Sequence, residues 1–392
     1  MLTSSFILKS LKAFSQTDIG TALLITIVWK ILMTICGFAI DSHFGGSVSL
    51  FDHTMRWDAG WYKTIIDGQY ANNLASSAFY PLFPLLTGII HFLGFGLFDY
   101  SIAGQIINTV AMWFALVALI KLARLLLGKK QRLWLIILVL SAPAAFFLHV
   151  FYSEAVFMAL SFWAYYLALT HRWLGVGILL ALLTATRLPS LLIVALCGLE
   201  FLKTYDWNPR KFFNKNILFF LLAPLGFIAY ATYLSFAQHD ALGMFHAYAQ
   251  TTDWAYQVFS PNIIETVAKS AYQVVRLFIG LRPFDNEMLV NIILPLWSLI
   301  LLLMSSLYLI FKHRQKLLPL GIVGILSFIM FTLNSNIVSV HRYILPSLTI
   351  YIAVALIAGH GYRKLVLYLW IISGLILQAF LYTAFIRSLF AG

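Results

Sequence analysis

The sequence predicts an all-α polytopic membrane protein, and three observations support this fold class. Hydrophobic residues make up 61% of the chain and charged residues only 10%, whereas a soluble globular protein has roughly 25% charged residues. The mean hydropathy is +0.89. The apolar residues also fall into long stretches, most of them suited in length to a helix that crosses about 30 Å of hydrocarbon.

About eleven stretches are predicted as membrane spans, and we expect them to form a single domain over residues 1–392. They cover residues 19–40, 102–126, 133–150, 155–169, 174–186, 188–202, 217–236, 288–311, 317–333, 344–358 and 365–386. The first stretch is long enough to remain as an anchor, so no cleavable signal peptide is expected. Cys36 and Cys197 lie in apolar stretches, which indicates neither a disulfide framework nor a thiolate metal site.

The distribution of Lys and Arg predicts the orientation, because these residues gather on the cytoplasmic side of membrane proteins. If residues 79–97 form a juxtamembrane element that does not cross, one side receives about 17 of the 26 Lys and Arg. The basic clusters of that side lie at residues 9–12, 128–132, 172, 203–215, 312–316 and 363–364. Pro81 and Pro84 also favour a broken element at 79–97. The net charge of +12 therefore reflects topology and contact with anionic membrane lipids, and no nucleic-acid partner is expected.

This topology leaves two long loops on the outer side, at residues 41–101 and 238–287. The first contains FDHTMRWDAGWYKTIIDGQYANNLASSAFYPLFP (51–84), with an Arg, a Lys and three Asp. FYSEA (151–155) and NSNIVSVHRY (334–343) fall on the same side. Acidic, basic and aromatic residues from distant parts of the chain thus gather at one mouth of the bundle, which predicts a functional site there.

Several segments of this outer face share a further pattern. RWDAGWY (56–62) is followed by DGQY (67–70) and AFYPLFPLL (78–86), and later by SAPAAFFLHVFYSEAVFMALSFWAYYLA (141–168), LTATRLPSLL (183–192) and SVHRYILP (339–346). In this order they resemble the PIG-V-like (GPI mannosyltransferase II) family and its bacterial relatives, although Gln69 separates the usual Gly-Tyr pair. The resemblance implies a GT-C glycosyltransferase fold and a polyprenyl-phosphate-linked sugar donor on the non-cytoplasmic face. It also implies that an acidic residue of the first outer loop is the catalytic base.

The chemistry of such a transfer needs a base for the acceptor hydroxyl and cations for the departing phosphate. We predict that Asp58 is the base, with Trp57 and Trp61 as an apolar wall that raises its basicity above that of a free carboxylate, whose pKa is about 4. The alternative is that Asp58 caps the helix that begins at AGWYKTII.

Asp52 is a possible second acid, although it is better suited to orienting Arg56 or His53, or to being solvated. It lies six residues before Asp58, and the loop has no D-x-D pair. No metal site is therefore predicted, and no cofactor is expected to be required.

Arg342, beside His341 and Tyr343, is the predicted ligand of the donor phosphate, because a guanidinium presents a fork of donors to phosphate oxygens. The alternative is that Arg342 anchors the helix end to lipid headgroups. Arg187 precedes a proline at an outer helix end, where it either reaches the same phosphate or extends to the interface.

Contacts to the sugar or the acceptor are predicted for Glu154, which begins a span and would otherwise be a carboxylate that stabilises a helix N-terminus. The same contacts are predicted for aromatic residues of the outer face, where aromatic residues also serve as interface anchors. These residues are Trp57, Trp61, Tyr62, Tyr80, Tyr152 and Tyr343.

The expected function is that of an inverting, mannosyltransferase-like glycosyltransferase, with a lipid, a glycan or a protein as acceptor. The expected location is the inner (plasma) membrane of a bacterium, with the site facing the periplasm or exterior. The alternative is a lipid or sugar transporter or flippase. Lys30 favours that alternative, because a lone ammonium within the first span costs about 3 kcal/mol and needs a partner. The absence of two repeated halves disfavours it.

Overall fold

The computed structural model describes residues 16–46, 49–68, 70, 74–95, 97–250, 260, 262–359 and 364–392. The predicted basic cluster at 9–12, Gln69 of the DGQY motif and part of the outer loop 238–287 lie outside the described residues.

The described residues form helices joined by short connections, and none of them lies in a β-strand. The α-helices are α1 (Asp18–His43), α2 (Asp58–Ile66), α3 (Leu82–Leu93), α4 (Tyr100–Leu126), α5 (Trp134–Leu140), α6 (Glu154–Leu169), α7 (Trp173–Thr184), α8 (Ser190–Thr204), α9 (Pro209–Phe212), α10 (Leu225–Gln238), α11 (Gly243–Gln250), α12 (Ile263–Phe278), α13 (Asn286–Met288), α14 (Leu294–Lys312), α15 (Arg314–Thr332), α16 (Val340–Tyr343), α17 (Leu348–Ala358) and α18 (Lys364–Ile386). Short 3₁₀ segments lie at Asp52–Thr54, Leu74–Ala78, Lys129–Gln131, Ala145–Leu148 and Lys215–Leu222, and a π-helical segment lies at Leu289–Ile293.

Six helical segments of the described residues are long and apolar enough to cross a membrane. They are Asp18–His43, Tyr100–Leu126, Lys215–Gln238, Asn286–Lys312, Arg314–Thr332 and Lys364–Ile386. At about 1.5 Å per residue, the 26 residues of α1 extend about 39 Å, more than the hydrocarbon thickness of about 30 Å. The composition and these six helices indicate an integral membrane protein, whereas the count of eleven spans stays a prediction.

The predicted juxtamembrane element at 79–97 contains one short helix, α3. Its 12 residues extend only about 18 Å, which is too short to cross about 30 Å of hydrocarbon. Phe92, Phe95 and Leu97 near its C-terminal end are strongly exposed apolar residues. These features agree with an element that lies at the membrane boundary.

The predicted span at 133–150 is wrong as a single helix. Helix α5 ends at Leu140, and after a turn the chain forms the 3₁₀ segment Ala145–Leu148. Pro143 lies in this turn, and a proline has no N–H to donate and disfavours the helical conformation of the residue before it. The break brings the FYSEA motif to the start of α6.

Side chains of α4 hold the broken segment in place. Gln105 Nε2 donates to the carbonyl of His149 at 2.6 Å, and Asn108 Nδ2 donates to the carbonyl of Val150 at 2.7 Å. Irregular backbone is tolerated at membrane depth where its polar groups are bound inside the protein. These two bonds therefore account for two carbonyls that the break leaves outside a helix.

Lys30 has the partner that its position in α1 requires. Its Nζ donates to Gln105 Oε1 at 2.9 Å and to the carbonyl of Leu148 at 3.3 Å. The ammonium thus ties α1 to α4 and to the 3₁₀ segment after α5. These two hydrogen bonds supply the partners that a charged side chain within the first span needs.

Arg56 fixes the start of α2 relative to two long helices. Its Nη2 lies 3.1 Å from Asp41 Oδ1 near the end of α1, and its Nε donates to the carbonyl of Ile386 at the end of α18 at 3.3 Å. Its Nη1 donates to the main-chain carbonyl of Asp52 at 3.1 Å. Asp52 thus contacts Arg56 through its main-chain carbonyl, and the carboxylate that forms a salt bridge with Arg56 is that of Asp41.

Candidate active site

A cavity of about 180 Å³ lies between α2, the turn from α7 to α8, α11, and the end of α15 with α16. Six of the residues predicted from the sequence line it: Asp58, Tyr62, Tyr80, Arg187, Arg342 and Tyr343. These residues come from three distant parts of the chain, as expected for a site at the mouth of a helical bundle.

Asp58 and Arg342 form an ion pair at this cavity. Asp58 Oδ2 lies 2.9 Å from Arg342 Nη1, and the two residues are 284 positions apart. Asp58 is the first residue of α2, and the N-cap residue is Trp57, which makes no side-chain capping bond. The carboxylate of Asp58 is thus bound to Arg342, so the helix-cap alternative does not account for it.

Tyr152 orients the backbone that carries Asp58. Its hydroxyl accepts a hydrogen bond from the N–H of Asp58 at 3.1 Å and donates to the carbonyl of Arg56 at 3.3 Å. The side chain is fully buried beneath α2. The structure therefore places Tyr152 behind Asp58, rather than among the residues that line the cavity.

Two residues with left-handed backbone start the helices that carry this pair. Trp57 has φ 55° and ψ −117° immediately before α2, and Ser339 has φ 64° and ψ 5° immediately before α16. Both φ angles lie in the positive region, which glycine adopts more easily than other residues. Asp58 directly follows Trp57, and Arg342 lies within one helical turn after Ser339.

Glu154 contacts both Arg187 and Arg342. Its Oε1 lies 2.5 Å from Arg187 Nη1 and 3.3 Å from Arg342 Nε. The side chain is only 3% exposed. Because it is the first residue of α6, it also lies where the helix dipole favours a negative charge. Two carboxyl groups and two guanidiniums therefore form one connected cluster of ion-pair contacts.

Aromatic rings enclose the guanidiniums. The ring centre of Tyr343 lies 5.0 Å from the Arg187 guanidinium and 5.2 Å from that of Arg342. The rings of Phe147 and Tyr152 lie 5.2 and 5.3 Å from the Arg342 guanidinium. Cations over aromatic faces are stabilised by the ring quadrupole, so these contacts hold the arginines in place without satisfying their N–H groups.

Two tyrosine hydroxyls complete the cavity wall. Tyr62 OH lies 2.9 Å from Ser153 Oγ. Tyr80 is 5% exposed, and its hydroxyl has no partner among the described residues. A buried hydroxyl without a partner at a cavity wall is available to a polar ligand.

Besides Tyr152 and Glu154, four other predicted site residues lie away from the cavity lining. Trp57 is half-exposed and packs edge-on against Phe390, and the Trp61 ring stacks on Phe79 at 6.0 Å. His341 is buried, with its Nε2 3.0 Å from the carbonyl oxygen of Ala391. The fourth is Asp52, in the 3₁₀ segment before α2. The proposed ligand contacts of these four residues therefore gain no support from the geometry.

Sequence reasoning missed other residues of the cavity. Tyr248 and Asn334 line it, and the carbonyl of Gly392 accepts from Arg342 Nη1 at 2.9 Å. Ser153, which contacts the cavity through Tyr62 OH, was visible in FYSEA as a polar residue beside Glu154. Tyr248 carried no signal of its own, since nothing local to its helix predicts which loop it meets.

The proton affinities of the residues at the cavity follow from burial. Burial raises the pKa of Asp58, and the adjacent Arg342 guanidinium opposes that rise without cancelling it. Burial also raises the pKa of Tyr62, which stays a neutral hydroxyl. Burial lowers the pKa of His341 to about 4, so its ring is neutral at pH 7. Asp58 is therefore the lining residue whose proton affinity shifts in the direction that general-base catalysis requires.

The part of the chain that the structure describes contains no cluster of side chains suited to bind a metal ion. No group of three or more His, Cys, Asp or Glu side chains in that part could hold a metal ion.

The comparisons with known proteins leave the family unassigned. No protein-family model matches the chain, and no curated protein matches it. The chain is similar to the crystal structure of the Archaeoglobus fulgidus oligosaccharyltransferase in complex with Zn and sulfate, with 13% sequence identity and a TM-score of 0.45. The similarity covers 96% of this chain and 53% of that one, so this chain spans about half the length of that protein. At this degree of likeness, the GT-C fold and the resemblance to the PIG-V-like family stay predictions.

Proposed function

We propose that the protein is a membrane glycosyltransferase of the GT-C type that transfers a sugar from a polyprenyl-phosphate-linked donor to an acceptor hydroxyl. The transfer is mannosyltransferase-like and inverting, and it takes place on the outer face of a bacterial inner membrane. The acceptor is a lipid, a glycan or a protein.

One observation carries this proposal: Asp58 lies at one cavity with both Arg342 and Arg187. A carboxylate is suited to take the proton of an attacking hydroxyl, and guanidiniums are suited to hold a phosphate as its negative charge grows. Glycosyl transfer from a phosphate ester needs both groups within reach of the same anomeric carbon. The cavity supplies them from three distant segments of the chain.

The residues take the following roles. Asp58 accepts the proton of the acceptor hydroxyl as the oxygen attacks the anomeric carbon. The bond from that carbon to the phosphate oxygen breaks, and the electron pair leaves with the phosphate. Arg342 and Arg187 stabilise the charge that develops on the phosphate. Direct attack from the face opposite the phosphate inverts the anomeric carbon.

Tyr62 and Tyr80 are placed to contact sugar or acceptor hydroxyls, because both line the cavity and Tyr80 OH has no partner among the described residues. Tyr343 contributes through the two arginines that its ring contacts.

The transporter alternative loses the feature that favoured it. Lys30 is bound to Gln105 and to a main-chain carbonyl, so its charge within the first span needs no substrate path to explain it.

The test is sugar transfer by purified protein in liposomes, with a panel of polyprenyl-phosphate sugars and a mixed set of acceptors. We expect the wild type to use at least one donor and a folded Asp58→Asn variant to lose turnover. Asp67→Asn is the matched control, because Asp67 is exposed at the opposite end of α2, where it accepts a bond from Tyr100 OH at 2.7 Å. Full turnover by Asp58→Asn would remove Asp58 as the base. No turnover of any donor in the wild type would contradict the proposal.

A further inference from the structure

Asp58 and the donor phosphate compete for the same atom of Arg342. Nη1 of Arg342 donates to Asp58 Oδ2 at 2.9 Å, and Nε faces Glu154 Oε1 at 3.3 Å. A phosphate that binds a guanidinium through two neighbouring nitrogens needs a pair that includes either Nη1 or Nε. Nε is buried and has no hydrogen-bond partner among the described residues, whereas Nη1 already donates to both Asp58 and the carbonyl oxygen of Gly392. A phosphate that enters from the cavity and binds through Nη1 must therefore displace one of these two acceptors.

The two carboxylates differ in how readily they can leave. The Glu154 side chain is 3% exposed and also contacts Arg187. Displacing Glu154 from Arg342 would therefore leave a buried carboxylate without one of its ionic partners. The Asp58 side chain is 24% exposed and lines the cavity. Asp58 is therefore the carboxylate that a phosphate entering from the cavity can replace.

The displacement changes Asp58 itself. While it is bound to Arg342, the guanidinium stabilises its ionised form and occupies one of its oxygens. An arriving phosphate takes the guanidinium away and adds a negative charge nearby, and both changes increase the affinity of Asp58 for a proton.

We propose that Asp58 is an exchangeable internal counter-anion of Arg342, which the donor phosphate displaces, so that donor binding is the event that releases the base. This inference rests on the proposed function for the identity of the donor. It predicts an order of events in which the donor binds before the acceptor hydroxyl is activated. The proton then passes from that hydroxyl to Asp58, and the phosphate leaves with the electron pair of the broken bond. Asp58 gives its proton to water and returns to Arg342.

The exchange predicts the direction in which the affinity for phosphate changes when Asp58 is replaced. Removing the negative charge at Asp58 removes the competitor of the phosphate, so the variant should bind a phosphate more tightly even though it cannot catalyse transfer. A residue that only contacts the ligand would give the opposite result, because its removal weakens binding.

The experiment measures binding of farnesyl phosphate at pH 7.5 to the full-length protein in detergent by isothermal titration calorimetry. Asp58→Asn and Asp58→Ala should each bind it at least about fivefold more tightly than the wild type, the lower end of usual coupling between linked sites. Two variants are used so that the result does not depend on the folding of one. Asp67→Asn should bind like the wild type, and binding of farnesol, which lacks the phosphate, should not change in any variant.

Equal or weaker binding of farnesyl phosphate by both Asp58 variants would overturn the inference, as would an equal gain for farnesol. These outcomes are independent of the transfer assay. A wild type that transfers sugar while its Asp58 variants gain no phosphate affinity refutes the exchange alone. A wild type that transfers nothing while its variants gain affinity refutes the proposed function and supports the exchange.

Discussion

Glu154 Oε1 lies 2.5 Å from Arg187 Nη1, in a contact between the start of α6 and the turn from α7 to α8. The same oxygen faces Arg342 from α16. This carboxylate therefore joins three segments that are far apart in the sequence, and its removal has consequences for the fold as well as for the cavity.

Replacing Glu154 with Gln should destabilise the protein by about 3–5 kcal/mol, because two buried guanidiniums then lose the carboxylate that they share. Thermal unfolding in detergent measures the effect. The control is Glu265→Gln, since Glu265 forms an exposed pair with Lys269 at 2.5 Å and such pairs contribute at most about 1 kcal/mol. An equal effect of the two substitutions would contradict the buried role of Glu154.

Replacing Trp57 with Gly should leave a more stable protein than replacing it with Ala, by about 1 kcal/mol. Both variants lose the contact with Phe390, but only glycine adopts the φ of 55° without strain. This reverses the usual order of Ala over Gly at ordinary helical positions. Comparison of the two unfolding temperatures tests it, and a more stable Ala variant would show that the chain relaxes away from the left-handed conformation.

Replacing Gln105 with Leu should destabilise the protein by about 1.5–3 kcal/mol, because the Lys30 ammonium loses its side-chain acceptor. The double variant with Lys30→Met should recover part of that loss, since it removes the charge that was left unsatisfied. A double-mutant cycle on unfolding free energies gives the coupling between the two residues. Strictly additive losses would mean that the Lys30 bond contributes nothing.

The transfer rate should fall at acidic pH, with an acid limb that lies above the ordinary carboxyl pKa of about 4. The base must be ionised, and burial raises the pKa of Asp58, so the limb moves upward from that value. The His341→Gln variant should keep the limb, because burial lowers the pKa of His341 to about 4 and leaves it neutral above that pH. Loss of the limb in the His341 variant would assign it to the histidine.

The helical stretches were largely predictable because long apolar runs can satisfy their backbone only as helices inside a bilayer. Stretches 19–40 and 102–126 correspond to α1 and α4. The break within the stretch 133–150 was not predicted, although Pro143 was visible in the sequence. The apolar pattern continues through the break and so hides it. What holds that break is Gln105 and Asn108, which lie on another helix.

The candidate site was predictable in part. Asp58, Arg187 and Arg342 were each selected by their residue type and their predicted place on the outer face, and all three line one cavity. The neighbour of each was not predictable. Trp57 and Trp61 seemed suited to enclose Asp58, but their rings pack on Phe390 and Phe79.

The sequence by itself determined the class of protein, the apolar helices and the set of polar residues that a lipid-facing surface would not accept. These properties follow from composition and from the cost of burying polar groups, which act locally along the chain. Only the tertiary structure decided that Asp58 meets Arg342 and that Glu154 serves two arginines. Such pairings depend on how the ends of distant helices pack, and ionic partners 284 positions apart leave no periodic trace in the sequence.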